Sequence, residues 1–328
     1  MISLAGGARG VLNPRWRPLL DGPLFGAFGS YGIDGSRTPL SAMASSMAKW
    51  ANEPAQTGLW EAKPVRGEIG IVVVPETQQF DYLLNFEREQ KPYPAAMWGA
   101  YRGFLENGLQ PDWVHIDDID AYDLLYFPYP IMFTEDQAQR LGGWVERGGI
   151  LVAEACPGYF GDFGRVGIRQ PNMGLDRVFG AVQDEVEFMP DLGDRIHFSF
   201  DGKAVDGGGF LQTYRAAGGS VRGAFDDGRT AVIEHRFGAG RTLLVGTNPS
   251  VGYYRTGSAD NRRFFVDVFN WSERRQHVRL SNPSLFARIH RNSKEMFLWL
   301  VNPARESLST EVHVGAAFGN ARPSGCAW

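Results

Sequence analysis

The stretch from Leu124 to Gly158 constrains the fold of this chain more than any other, because it reads as strand, helix, strand and tight turn in succession. Leu124-Leu125-Tyr126-Phe127 is a short apolar run that Pro128 ends, since proline has no N–H to offer a ladder. Thr134 is placed to cap a helix, with Glu135 and Asp136 favourable at its positive end. Ala138, Leu141 and Val145 recur at helical spacing, and Gly148-Gly149 stops the helix. Ile150-Leu151-Val152-Ala153 then reads as a buried parallel strand, and the chain turns at Glu154-Ala155-Cys156-Pro157-Gly158. Ligands of doubly wound sheets bind at the carboxyl ends of the strands. Cys156 is therefore expected at the edge where chemistry is usually found.

The 328 residues allow two domains, or one domain with fragments. With 21% charged residues, 43% hydrophobic residues and a net charge of −4, nothing points to nucleic acid. No apolar run approaches the roughly 18 residues of a membrane span, and the N-terminus lacks the basic and apolar regions of a signal peptide. Two cysteines, Cys156 and Cys326, make no disulfide framework. A cytoplasmic protein is the expectation.

Three textures follow one another. Residues 1–60 hold a short apolar run at Val11-Leu12, a loop rich in Pro, Gly and aromatics, and a helix over 39–50 with Met43, Met47 and Trp50 on one face. One strand and one helix cannot bury a core, so this piece must pack on something else. Residues 66–275 carry the α/β pattern: a strand over 69–76, a helix over 94–107, a strand over 113–116, then the segment described above. Short β segments follow at 210–214, 230–236 and 241–246, the last two forming a hairpin closed by Gly238-Ala239-Gly240. A helix over 261–271 ends the region. Residues 276–328 hold two alternating strands, 286–290 and 296–301, too few for a free-standing sandwich. The tail from Asn320 reads as disordered or foreign sequence.

Three motifs in this order resemble glycoside hydrolase family 42, the β-galactosidases built from a (β/α)8 barrel, a trimerisation domain and a small β domain. Trp16-Arg17-Pro18, Phe25-Gly26 and Ile33-Asp34-Gly35-Ser36-Arg37-Thr38-Pro39 look like the eighth barrel strand, its loop and the last barrel helix. Gly148-Gly149-Ile150-Leu151-Val152 resembles the trimerisation domain, and Leu300-Val301-Asn302-Pro303 a phrase of the β domain. The resemblance implies a barrel remnant at 1–60, a trimerisation domain at 66–275, a partial β domain at 276–328, and a homotrimer. Retaining glycosidases need two carboxylates about 5 Å apart. The family carries both on barrel strands before the eighth, and no Glu here matches either, although Asp21 and Asp34 lie in the barrel-loop stretch. A separate polypeptide bearing the barrel is a further partner to consider.

The same α/β region resembles the class I glutamine amidotransferases, whose nucleophile sits in a Gly-x-Cys-x-Gly elbow. The fold expected is thus a flavodoxin-like, amidotransferase-type doubly wound sheet. Here Glu154 replaces the first glycine, and Pro157 removes a backbone N–H that an oxyanion would use. A thiol nucleophile wants a base, yet the place of the family's histidine reads Thr247-Asn248-Pro249-Ser250. His115 at the end of another strand, His235 inside a hairpin strand and Glu76 at the end of the first strand are the candidate partners of Cys156. Tyr129, Glu154 and Asn248 are the candidate substrate-binding residues of the same crevice. Two readings stay open: a non-catalytic trimerising module in which Cys156 is a buried hydrophobe, or an esterase- or amidase-type hydrolase with Cys156 as nucleophile. No cofactor is expected. The six histidines share no metal-like spacing, and Gly238-x-Gly240 joins two strands rather than opening a dinucleotide-binding helix.

Overall fold

The computed structural model describes residues 2–12, 15–22, 29–87, 91–188, 195–304 and 306–318. Leu24, the Phe25-Gly26 pair, Phe28, Cys326 and the tail from Asn320 lie outside them. The chain divides into two compact units, one of Met1–Val65 with Leu280–Val312, the other of Arg66–Arg279 with His313–Trp328.

The first unit draws together segments from opposite ends of the sequence. Lys63–Pro64, Phe286–Arg291 and Met296–Val301 form a three-stranded antiparallel sheet in that order. Thr38 and Ser41 make a reciprocal capping box at the start of helix Pro39–Ala51. A small core gathers Leu4, Ala5, Trp299 and Val301, with Met47, Trp50, Leu59 and Trp60 packed against it. Met47 and Trp50 join it as their spacing implies, whereas Met43 is exposed because the core meets only the later turns of the helix. Val11-Leu12 is not a strand, and both side chains are exposed.

The second unit is built on a seven-stranded sheet: β1 (Ile69–Val73), β2 (Pro111–His115), β3 (Leu124–Phe127), β4 (Ile150–Ala153), β5 (Ser220–Ala224), β6 (Thr230–Phe237) and β7 (Gly240–Val245). They lie in the order β5-β6-β7-β4-β3-β1-β2. β2, β1, β3, β4 and β7 are mutually parallel, while β6 and β5 extend the sheet antiparallel. Residues of β4 alternate between two cores, as side chains on a strand must. Ile150 and Val152 face helices Pro92–Leu105 and Ala259–Trp271. Leu151 and Ala153 face helix Glu135–Glu146. That helix carries the Thr134 cap, and Gly148 takes a left-handed φ of 117° after it.

Two local expectations change. The apolar run from Ile69 does not continue as a strand to Glu76, because Pro75 opens helix Pro75–Leu84 with Glu76 in its first turn. Strands Ala181–Phe188, Ile196–Phe200 and Lys203–Gly207, with β5, were not apparent as strands in the sequence. They pair as antiparallel ribbons with mixed polar and apolar composition, which weakens the alternation signal.

Helices Pro92–Leu105 and Pro249–Thr256 approach so closely that a Cβ on Gly99 would lie 1.9 Å from the Ser250 carbonyl oxygen. Gly99→Ala is therefore expected to cost about 1–3 kcal/mol through overpacking. Urea unfolding measures it, and an unchanged midpoint would show that the helices have room to separate.

Candidate functional site

At the carboxyl ends of β3, β4 and β7 lies a buried carboxylate, Glu154, which is fully screened from solvent. Tyr126 of β3 donates its hydroxyl to Glu154 Oε1 at 2.5 Å. The Ser250 amide donates to the same oxygen at 3.1 Å. Oε2 accepts from Asn248 Nδ2 at 3.2 Å and from the Ser250 hydroxyl at 2.5 Å. Asn248 Nδ2 also donates to the Pro128 carbonyl at 3.0 Å. Asn248 and Ser250 stand where the chain leaves β7 and enters helix Pro249–Thr256. One carboxyl group thus ties together three neighbouring strand ends. Burial pushes its pKa up from 4.5 to about 8, against the lowering effect of the Ser250, Tyr126 and Asn248 hydrogen bonds.

Two residues further on, Cys156 holds a φ of 62°, in a region that non-glycine residues seldom occupy. Its thiol is buried, and desolvation raises its pKa well above the ordinary thiol value. The Cys156 amide donates to Gln212 Oε1 at 2.7 Å, and the Tyr214 hydroxyl donates to the same oxygen. Gln212 in turn donates to Gln183 Oε1 at 2.7 Å. The amide of Cys156 is thus already engaged, and Pro157 has none. An oxyanion hole needs free donors aimed at the reacting oxygen, and this turn offers neither of the two it would ordinarily use.

The structure brings Glu154 and Asn248 into direct contact and sets the other candidates apart. Glu76 accepts from Gln137 Nε2 at 3.0 Å, and β1 lies two strand spacings, roughly 10 Å, from β4. His115, at the end of edge strand β2, pairs with Asp117 at 3.3 Å. Three spacings, about 14 Å, separate β2 from β4. Tyr129 is buried between the rings of Tyr93 and Phe210, at 6.4 and 6.0 Å, and hydrogen-bonds to the buried Asp81. Tyr126, Ser250, Gln212 and Tyr214 are the participants that the sequence did not single out. Tyr126 sits inside an apolar run and looks like core. Ser250 follows Pro249 at a helix start, a position that signals a cap rather than a carboxylate partner. Among the described residues no group of three His, Cys, Asp or Glu is placed to hold a metal ion. No helix among them is long and apolar enough to cross a membrane.

The sequence matches the family model described as the β-galactosidase trimerisation domain over residues 76–273. No curated protein matches the chain. Among solved structures, a catalytic mutant of a GH42 β-galactosidase from G. stearothermophilus aligns with a TM-score of 0.76 at 18% identity, over 91% of this chain and 43% of that one. The cold-adapted β-galactosidase of Rahnella sp. R3 gives 0.72 at 17% identity, over 88% and 43%. The β-galactosidase of Halorubrum lacusprofundi gives 0.66 at 21% identity, over 82% and 40%. This chain spans less than half the length of these structures.

The raised pKa of Glu154 has a sign that solution measurements can test. Between pH 4.5 and about 8 the folded state holds a proton that the unfolded chain has released. Stability is therefore predicted to fall as pH rises through this window and to level off above it. Glu154→Gln removes the titrating proton and should flatten that slope in urea unfolding from pH 5.5 to 8.5. Equal slopes in the two proteins would overturn the assignment.

Proposed function

Since this chain belongs to the β-galactosidase trimerisation-domain family, we propose that it is the self-associating part of a β-galactosidase-like protein and forms a homotrimer. The observation that carries the reading is the family match across 76–273, which takes in six of the seven strands of the large sheet, all but β1. Numbered along the chain, the five parallel strands lie in the order 2-1-3-4-5. That order supports a flavodoxin-like, amidotransferase-type description of the unit. Residues 1–60 are read as a barrel remnant on the Trp16-Arg17-Pro18 and 33–39 motifs, and 276–328 as part of a β domain. In this reading neither carboxylate of the retaining mechanism is present. Glu154 is no substitute, because four donors occupy its two oxygens. A barrel-bearing polypeptide is proposed as a second partner, and a buried free thiol suits a reducing, cytoplasmic setting.

Light scattering of the purified 36.4 kDa chain is expected to give three chain masses at micromolar concentration. A stable monomer would sink the reading.

One observation favours a second reading. The left-handed backbone at Cys156, at a strand end, is the strained turn on which hydrolases present a nucleophile. Burial of the thiol and the engaged Cys156 amide weigh against it. The native chain is predicted to react with a thiol reagent at Cys156 only after unfolding, and to turn over neither activated esters nor chromogenic galactosides. Fast labelling of native Cys156, together with ester turnover abolished by Cys156→Ala, would reverse the ranking.

A further inference from the structure

Helix Pro75–Leu84 ends on Tyr82, Leu83 and Leu84, each more than half exposed, and Phe86 follows in the same state. Successive residues of a helix point about 100° apart, so such a run cannot all face one core. Beside it opens a cavity of about 630 Å³ walled by Tyr82, Leu83, Lys91, Tyr93 and Pro94. The Lys91 ammonium stands 5.1 Å from the centre of the Tyr82 ring.

A second exposed apolar element adjoins it. On the loop that follows the Cys156 turn, Phe163 is 93% exposed and Ile168 wholly so. Phe163 is held there with a φ of 60°, a conformation that costs energy for an aromatic residue. The loop is nonetheless ordered by its own bonds. Gly161 donates to the Arg165 carbonyl at 2.8 Å, and Asp162 accepts from the Glu135 amide at 3.2 Å. A Cβ on Gly164 would lie 3.2 Å from Phe80. The loop therefore stands against the helix face from which Leu83 and Leu84 project one turn later. Strained backbone that fixes a large apolar side chain in water is stable only at a cost, and contiguous apolar surface of this kind marks a contact site.

We propose that residues 161–168 are the element through which copies of this chain associate: Phe163 and Ile168 of one copy enter the cavity between Tyr82, Leu83, Tyr93 and Pro94 of the next. The proposal rests on the self-association reading above and assigns its surface. Charge supports a second copy as the occupant. Asp162 and Arg165 flank Phe163 on the loop, while exposed Glu87 and half-buried Lys91 flank the apolar surface at the cavity, so each acid has a base to meet across the contact. Knob and cavity are different surfaces, which makes the contact heterologous, and such contacts close into a ring where the rotation between copies closes. Because loop and cavity adjoin on one chain, the ring axis must pass close to both, which suits a small ring such as a trimer.

The test is sedimentation equilibrium of the 328-residue chain and of its Phe163→Ala/Ile168→Ala variant. Both side chains lie in solvent, so the variant should keep the circular dichroism spectrum and melting temperature of the parent. Its association is expected to weaken at least about a hundredfold, as loss of central apolar anchors does. A second variant, Leu83→Cys with Ile168→Cys in a Cys326→Ala background, should oxidise to a cross-linked ladder that stops at three chains. If the parent chain is monomeric throughout, the self-association reading falls and this assignment falls with it. If the parent associates but the alanine variant associates equally and the cysteine pair gives no ladder, only the assignment of the loop falls.

Discussion

The larger unit depends on one buried carboxyl group. Glu154 directly follows β4, and it is held by Tyr126 from β3 and by Asn248 and Ser250 after β7. Leaving a buried polar group unpaired costs about 1–3 kcal/mol, and more when it is charged. Four donors meet that demand here, and in doing so they fix the separation of three strand ends. The helix that begins at Pro249 starts from the same cluster. Its close contact with Gly99 then sets the position of helix Pro92–Leu105.

The cluster also explains why the cysteine turn reads as structure. A nucleophile elbow lifts its residue out of the sheet and leaves backbone donors free beside it. In this chain the turn keeps its left-handed backbone but folds inward. The Cys156 amide is tied to Gln212, Gln212 is tied to Gln183 and Tyr214, and the thiol lies among apolar side chains. The backbone strain serves to seat the turn against the ribbon formed by Ala181–Phe188 and Phe210–Ala216.

Much of the fold was legible along the chain. The apolar runs of β1, β3 and β4, the Thr134 cap and the Gly148 stop each act within a few residues of themselves, so local chemistry announced them. The site was less legible. Asn248 and Glu154 stood out as strand-end polar residues and do meet. Glu76, in the first turn of the helix after β1, and His115, at the end of β2, follow strands two and three places from β4, and each finds another partner, Gln137 or Asp117. Position at a strand end is a local property, whereas distance between strand ends is set by lateral order, which no single segment encodes.

By itself the sequence determined the α/β character of the chain, the helix limits at Thr134 and Gly148, and the turn at Cys156, because hydrophobic period, capping and glycine placement are short-range effects. Only the tertiary structure decided which donors reach Glu154 and that the Cys156 thiol lies inside. It also decided that strands near residues 63, 286 and 296 share one sheet. Those outcomes depend on contacts between residues tens to hundreds of positions apart, such as Glu154 with Ser250 and Ala5 with His290. Chain folding creates such contacts, and the local pattern of side chains cannot specify them.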